Sequence, residues 1–253
     1  MHTARPMSDH DDAARYAASA GAVLLDLRAQ DSSDAWRRYT LGDAGDLNAN
    51  RQLLALLREE HPDDAVLSEE SAEDPRRRDA SRVWIIDPLD GTREFTEAGR
   101  TDWAVHVALW ERDHGVRVGA VALPAQDLVL STASPPSVPA STSKQIRVVV
   151  SRTRPPMAAR RVADALNAEL VGMGSAGAKT MAVVTGEVDA YVHAGGQYEW
   201  DSAAPVAVAA AAGLHVSRLD GSPLVYNQPD PWLPDLVVCR AELGEEIVRA
   251  AAA

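Results

Sequence analysis

Residues 84–92 of the chain read WIIDPLDGT, and this stretch decides which fold and which chemistry the sequence predicts. The apolar run Val83–Ile86 has the length of a strand and ends directly on Asp87. Pro88 fixes φ and is expected to stop that strand. Because Asp87 and Asp90 are like charges in close proximity, they repel each other unless a cation lies between them.

The same segment predicts a site for phosphate. Hard divalent cations such as Mg²⁺ take carboxylate oxygens and backbone carbonyls as ligands. Gly91 permits a close approach of the backbone, and with Thr92 it is expected to begin a helical turn whose free amides point at an anion. The alternative is that Asp87 and Asp90 merely cap a turn and a helix, as aspartates often do. The six residues from Asp87 to Thr92 follow an apolar strand in this order, and this pattern favours a metal and phosphate site over simple capping.

Three other acidic positions have the same chemical character. Glu69 and Glu70 end a second apolar run, Asp201 opens an alanine-rich helix, and Asp46 precedes a helix rich in leucine. Taken alone, the pair Glu69 and Glu70 is typical of a solvated surface, and Asp201 is typical of a helix N-cap. Their combination with the segment at 84–92 predicts one acidic site.

Composition limits the class of protein. The chain has 253 residues, one cysteine and a formal net charge of −12. A single cysteine excludes an internal disulfide and a cysteine-based zinc cluster, which suits a reducing cytosol, so we expect a cytoplasmic protein. No apolar stretch reaches the ~18 residues that span a membrane. The acidic balance argues against binding long nucleic acid, so phosphate must be held by metal or by local cations.

A run of proline and serine at 134–143 is typical of a linker and predicts two units, residues 1–143 and 144–253. Two helices, two strands and an antiparallel meander precede it, and strands alternate with helices after it. The predicted helices are Asp11–Arg28, Leu47–Glu60, about Pro156–Ala168, about Ala176–Thr185, Ser202–Ala212 and a final alanine-rich helix. The predicted strands are Ala65–Leu67, Val83–Ile86, Trp103–Trp110, Val116–Leu123, Leu128–Thr132, Ile146–Val150, Leu170–Met173, Val188–Val192, Leu214–Ser217 and Leu236–Cys239.

Three motifs in this order resemble the signature motifs of the inositol monophosphatase superfamily: SEES at 68–71, WIIDPLDGT at 84–92 and EWDSAA at 199–204. The resemblance covers roughly residues 40–239. It implies an α/β protein with a layered αβαβα sandwich, in which an N-terminal α+β half carries most metal ligands and a C-terminal α/β half carries substrate contacts. It also implies a Mg²⁺-dependent phosphomonoesterase without a covalent intermediate.

The resemblance further implies the site residues. The implied ligands of two Mg²⁺ ions, with a third and weaker ion assisting, are Glu69, Asp87, Asp90, Asp201 and the backbone carbonyl of Leu89. The implied catalytic residues are Asp46, Glu69 and Thr92, with Asp43 as a rival for Asp46, and Glu70 is expected to lie behind Glu69. The amides of Gly91 and Thr92 are implied to bind phosphate oxygens.

Within the superfamily, REF at 93–95, SRTR at 151–154 and GSAGAK at 174–179 are similar to segments of CysQ-type 3′(2′),5′-bisphosphate nucleotidases. The likeness implies that adenosine 3′,5′-bisphosphate (PAP) is hydrolysed to AMP and phosphate, a lithium-sensitive reaction linked to sulfate assimilation. A second phosphate needs local positive charge, and the alternative for each cation is ordinary solvated surface. The implied substrate contacts are Leu89, Asp90, Gly91, Thr92, Arg93, Arg152, Ser175, Lys179 and Asp201; Arg154 is left even between the two interpretations.

Other functions stay open at this point. Inositol 1-phosphate or fructose 1,6-bisphosphate could be the substrate within the same superfamily, and a non-catalytic nucleotide sensor is the alternative from another class. A haloacid-dehalogenase phosphatase is excluded, because Pro88 stands where that family's nucleophilic aspartate would be. The superfamily includes monomers and dimers, so a homodimer is possible.

Overall fold

The structure is a computed structural model that describes the backbone of residues 8–30, 35–141 and 143–252, and their side chains except at 35–39. Its helices are α1 (Asp9–Ala29), α2 (Ala35–Glu60), α3 (Thr92–Thr96), α4 (Met157–Leu166), α5 (Ala176–Val184), α6 (Glu199–Ala211) and α7 (Gly244–Ala252). Its strands are β1 (Ala65–Ser68), β2 (Arg82–Asp90), β3 (Ala104–Glu111), β4 (Gly115–Leu123), β5 (Leu128–Ser131), β6 (Arg147–Ser151), β7 (Glu169–Met173), β8 (Ala190–Tyr198), β9 (His215–Ser217) and β10 (Trp232–Cys239).

The strands form two mixed sheets of five strands each. In the first, β1 runs parallel to β2, and β2 to β5 follow as the predicted antiparallel meander. The second has the order β7-β6-β8-β10-β9, with β6 parallel to both β7 and β8 and with β10 antiparallel to β8 and β9.

Three hydrophobic cores stack the layers in the predicted αβαβα order. The first core packs α1 and α2 on one face of the first sheet and contains Tyr16 and Trp84. The second joins the other face of that sheet to α5, α6 and the second sheet, and it contains Ile85 and Tyr191. The third packs α4 and α7 on the far side of the second sheet, around Val148. Successive residues of β2 therefore face different cores, which explains its unbroken apolar run.

The predicted start of the second helix is wrong: α2 begins at Ala35 rather than Leu47, so Asp46 lies inside the helix. Two glycines in the added part of α2 are positions of close packing. A Cβ atom on Gly42 would lie 2.8 Å from Cγ2 of Thr92, and one on Gly45 would lie 2.9 Å from Cδ2 of Leu89. Glycine in this helix therefore lets α2 approach the segment that follows β2.

The expectation that Pro88 ends the strand is also wrong. β2 continues to Asp90, and its register against β3 shifts between Asp87 and Asp90. A proline is tolerated in such a bulge, since the irregular ladder does not require its missing amide. The bulge leaves the Asp87 and Asp90 carboxylates on one short, bent stretch of backbone.

Two later boundaries also differ from the prediction. β8 extends to Tyr198 instead of ending at Val192, and α6 begins at Glu199 instead of Ser202. Asp201 consequently lies in the first turn of α6 and is not its N-cap.

The predicted division at residue 143 stays a prediction, and residue 142 of that linker lies outside the described residues. All strands of the first sheet precede the linker and all strands of the second follow it. Among the described helices, none combines the length and the apolar character needed to cross a bilayer.

Gly119 of β4 tests the packing of α6 against the first sheet. A Cβ atom there would lie 2.8 Å from Cβ of Ala207 and 2.9 Å from the carbonyl oxygen of Ala204. We expect Gly119→Ala to lower the free energy of unfolding by about 1–3 kcal/mol, because the added methyl group overpacks this contact. Urea unfolding measures the change. Val129→Ala, at an exposed position of β5, should stay within about 0.5 kcal/mol of the parent; equal losses in both variants would contradict the prediction.

Candidate active site

Three carboxylates meet where β2 ends and α6 begins. One oxygen from each of Asp87, Asp90 and Asp201 lies within 4.8 Å of the other two. The amide of Leu89 donates to Oδ1 of Asp87 at 3.1 Å, and the amide of Tyr198 donates to Oδ2 of Asp201 at 2.6 Å. The bulge of β2 and the first turn of α6 thus hold this carboxylate trio.

Glu69 and Asp46 come from two other elements. Glu69 follows β1, and because β1 is parallel to β2, both strands deliver their carboxylates to the same edge of the sheet. It lines a cavity shared with Asp90 and Asp201. The hydroxyl of Thr92 lies 3.3 Å from the Leu89 carbonyl oxygen and 3.5 Å from Oδ1 of Asp46, the outer limit of a hydrogen bond. This contact favours Asp46 over Asp43 as the carboxylate beside Thr92.

Burial and mutual repulsion raise the pKa of most of these carboxyls. Burial, with the charges of Glu70 and Asp43, raises the pKa of Asp46 to about 7. Burial, with the charge of Asp201 next, raises the pKa of Glu69 to about 7.

The trio itself shows the same effect. Burial, followed by repulsion from Asp90, raises the pKa of Asp201 to about 6 and that of Asp87 well above its usual range. The cluster cannot be fully ionised near neutral pH without added positive charge. An all-oxygen donor set with this excess of negative charge fits Mg²⁺.

Asp90 differs from its neighbours. Burial alone would raise the pKa of Asp90, but contacts with His106, Lys179 and Ser175 hold this pKa below its usual value. The Ser175 hydroxyl donates to Oδ2 at 2.5 Å and the Gly177 amide donates to the same oxygen at 2.7 Å. Nε2 of His106 lies 3.3 Å from that oxygen. Asp90 therefore carries the stable negative charge of the trio.

His106 is a residue that the sequence analysis missed. It is fully buried in β3, and its Nδ1 lies 3.0 Å from the carbonyl oxygen of Trp200, so it joins β3, β2 and α6. The available signal was one polar residue inside the apolar run of β3. Its ring also explains Gly177, because a Cβ atom there would lie 2.0 Å from Nε2 of His106.

The loop before α5 places two of the predicted substrate contacts. Ser175 caps α5, and its hydroxyl accepts from the Ala178 amide at 2.9 Å. The Lys179 ammonium donates to the carbonyls of Ser175 and Gly174 at 2.7 and 3.2 Å and lies 5.2 Å from the ring centroid of Tyr191. Burial lowers the pKa of Lys179. This cation is held beside the site by backbone oxygens.

Two cavities open next to the trio. The cavity of ≈ 590 Å³, here called the arginine cavity, is lined by residues that include Gly91, Thr92, Arg93, Arg152, Arg154 and Lys179. The cavity of ≈ 460 Å³, here called the aromatic cavity, is lined by residues that include Glu69, Asp90, Asp201, Lys179, Tyr198 and Trp232. Arg154 and Lys179 line both.

The arginines that line the arginine cavity differ in their hydrogen-bond and ion-pair partners. The Arg152 guanidinium donates to Glu94 and to Glu97 at 2.6 Å each, so protein carboxylates already balance its charge. Arg93 and Arg154 are exposed and form no ion pair with a carboxylate in the part of the chain that the structure describes. Arg154, which the sequence analysis left even between a site and plain surface, is therefore available to an anion.

Comparisons with known proteins agree with this geometry. A model of the inositol monophosphatase family matches residues 12–252. A 3′-phosphoadenosine 5′-phosphate phosphatase of Mycobacterium leprae is 54% identical over 249 residues, 94% of this chain and 91% of that protein. The 3′(2′),5′-bisphosphate nucleotidase CysQ of Escherichia coli K12 is 34% identical over 205 residues, 75% of this chain and 81% of that protein.

Among solved structures, CysQ from Bacteroides thetaiotaomicron superposes with a TM-score of 0.79 at 26% identity, covering 90% of this chain and 96% of that one. That structure is described as a bacterial member of the inositol monophosphatase family.

The raised pKa values predict that Mg²⁺ binding displaces protons. At pH 6.5, carboxyls whose pKa is raised to about 6 or 7 are partly protonated, whereas a bound cation needs them ionised. We expect proton release at pH 6.5 that falls toward zero at pH 8.5, with weaker Mg²⁺ binding at the lower pH. Isothermal titration calorimetry in two buffers of different ionisation enthalpy counts the protons.

Asp12→Asn is the matched control for this titration. Asp12 belongs to a second acidic group with Asp9 and His61, but its carboxylate accepts from Arg15 at 2.7 Å. This variant should release protons as the parent does. No proton release at pH 6.5 in the parent would show that the carboxyls are already ionised before the cation binds, and would contradict the prediction.

Proposed function

The chain belongs to the inositol monophosphatase family, and from that premise we propose that it hydrolyses 3′-phosphoadenosine 5′-phosphate to AMP and phosphate. The observation that carries the proposal is the trio of Asp87, Asp90 and Asp201, with oxygens within 4.8 Å, beside a cavity lined by exposed arginines. A trio of this kind supports divalent cations, and the arginines support a substrate with a second phosphate.

The proposed ligands of Mg²⁺ are Glu69, Asp87, Asp90, Asp201 and the carbonyl of Leu89, with two ions and a weaker third in one site. When bound, the ions favour ionisation of water and offset the charge of the phosphate. The fit rests on the donors, which are all oxygen atoms, and on their crowding, since burial followed by the charges of Asp90 and Glu69 raises the pKa of Asp87.

The chain's own residues orient and deprotonate the attacking water. The Thr92 hydroxyl lies between the Leu89 carbonyl and Asp46, and it relays a proton from that water toward the Asp46 carboxylate. A pKa of about 7 suits Asp46 to accept a proton near neutral pH. Glu69 shares the cavity and holds the water from the side of β1.

Phosphate oxygens are bound by the turn at the start of α3. Gly91 has φ +89°, a left-handed conformation that glycine adopts without strain, and Gly91 and Thr92 both line the arginine cavity, where their amides would donate to the phosphate. Asp90 positions the substrate together with Ser175 and Lys179. Arg93 and Arg154 offset the second phosphate, while Arg152 supports the cavity wall through Glu94 and Glu97.

The same proposal places the enzyme in the cytoplasm. Cys239 is buried and free, as expected for a protein that folds in a reducing compartment.

Substrate preference tests the proposal directly. We expect the highest kcat/KM on 3′-phosphoadenosine 5′-phosphate, because its second phosphate meets Arg93 and Arg154. Inositol 1-phosphate has no second phosphate, and the two phosphates of fructose 1,6-bisphosphate are spaced differently, so we expect lower values on both. Steady-state phosphate release with each ester provides the comparison. A clear preference for a sugar phosphate would reject the nucleotide as substrate and leave the phosphatase class in place.

Asp90→Asn tests the metal site. We expect kcat to fall by at least about two orders of magnitude, because an amide is a weaker cation ligand and the stable negative charge of the trio is lost. Circular dichroism and thermal unfolding should show the parent fold. Asp113→Asn, in the exposed turn between β3 and β4, should retain parental kcat. Near-parental Mg²⁺-dependent turnover in Asp90→Asn would contradict the assignment.

A further inference from the structure

The aromatic cavity, which also contains carboxylates of the candidate site, is lined by two exposed rings. Tyr198 is 46% exposed and Trp232 is 48% exposed, and they are the two aromatic side chains that stay this open among those the structure describes. They are direct partners across the antiparallel pair β8–β10, so both side chains leave the sheet on the same face. The two rings therefore lie at neighbouring positions of one cavity wall, and this pair of apolar rings is here called the platform.

The two rings are held in place by their neighbours. A Cβ atom on Gly196, where φ is +91°, would lie 2.6 Å from Nε1 of Trp232, so the indole rests against the glycine backbone. Nε2 of His193 lies 3.0 Å from the Gly196 carbonyl oxygen and braces that backbone. The Tyr198 ring stacks on Trp200 with centroids 4.8 Å apart and planes at 13°. A preorganised platform loses little entropy when a flat ligand binds.

The platform is connected to the carboxylate trio through the backbone. The amide of Tyr198 is the donor to Asp201 at 2.6 Å, and the aromatic cavity also contains Glu69 and Asp90. A ligand lying on the rings therefore has its other end at the proposed reaction centre. The cavity volume of ≈ 460 Å³ is within the range of sites for molecules of nucleotide size.

We propose that Trp232 and Tyr198 bind the base of the nucleotide substrate by stacking, and so select nucleoside phosphates over sugar phosphates. The inference rests on the proposed function, because it concerns the non-reacting part of the same substrate. Stacking on an aromatic side chain suits any base, since every base has a π face. Selection by the platform therefore separates esters with a base from esters without one.

The experiment compares two esters in the full-length protein with Mg²⁺: 3′-phosphoadenosine 5′-phosphate and inositol 1-phosphate. We expect Trp232→Leu and Tyr198→Leu each to lower the ratio of the two kcat/KM values about tenfold, mainly through KM of the nucleotide. Trp232→Phe keeps a ring and should keep most of the ratio. Met157→Leu, at a 63% exposed position of α4 that lines neither cavity, should leave the ratio at its parental value.

A binding measurement without turnover supplies a second readout. AMP should quench the tryptophan fluorescence of the parent, and this quenching should fall in Trp232→Phe, which lacks the indole.

Unchanged ratios in both leucine variants, with 3′-phosphoadenosine 5′-phosphate still hydrolysed, would overturn the platform and leave the proposed function standing. Quenching by AMP at Trp232 in a protein that does not release phosphate would support the platform and reject the proposed function. A change in oligomeric state by light scattering in Trp232→Leu, with an unchanged ratio, would assign the rings to a protein contact and overturn the inference.

Discussion

The arrangement depends on one unfavourable interaction: the packing of carboxylates against each other in a buried place. Oxygens of Asp87, Asp90 and Asp201 lie within 4.8 Å, and burial together with repulsion raises the pKa of two of these three groups. The fold tolerates this because the elements that carry the carboxylates are fixed elsewhere. β2 is buried in two cores, and α6 packs between the two sheets. Hydrophobic burial in the layers thus stabilises a site that opposes folding in the absence of a cation.

Charge within the site is distributed unevenly, and the unevenness comes from neighbouring elements. Asp90 receives donors from Ser175 and the Gly177 amide on one oxygen, which helps to hold its pKa below the usual value, whereas burial and repulsion raise the pKa of Asp87. That contact requires α5 to lie against His106, so a side chain at residue 177 would collide with the imidazole. The glycine at residue 177 is therefore a consequence of how Asp90 is held.

Features that depend on local contacts could be predicted from the sequence, and features that depend on distant contacts could not. The apolar runs and the carboxylates after β1 and β2 were predictable, because each depends on neighbours in sequence. The start of α2 and the path through Pro88 were predicted wrongly, since packing against other elements overrides the usual meaning of glycine and proline. The sequence analysis missed His106 and the pair of Tyr198 with Trp232 for a related reason. The register of the strands brings these residues to the site, and that register cannot be read from the sequence.

The residues that we propose for catalysis and those that we propose for substrate selection come largely from different halves of the molecule. Asp46, Glu69, Asp87 and Asp90 lie on or beside α2, β1 and β2, whereas Arg154, Lys179, Tyr198 and Trp232 belong to or follow elements of the second sheet and its helices. Asp201, one turn beyond Tyr198, brings a carboxylate of the second half to the first set, and Ser175 donates to Asp90 across the same boundary. Tyr198 contacts Asp201 through its backbone amide, so a change of side chain at residue 198 can alter which ester enters without removing the donor to that carboxylate. In an acidic chain with a net charge of −12, Lys179 offsets the charge of Asp90, and the exposed Arg93 and Arg154 leave positive charge in the arginine cavity for the substrate.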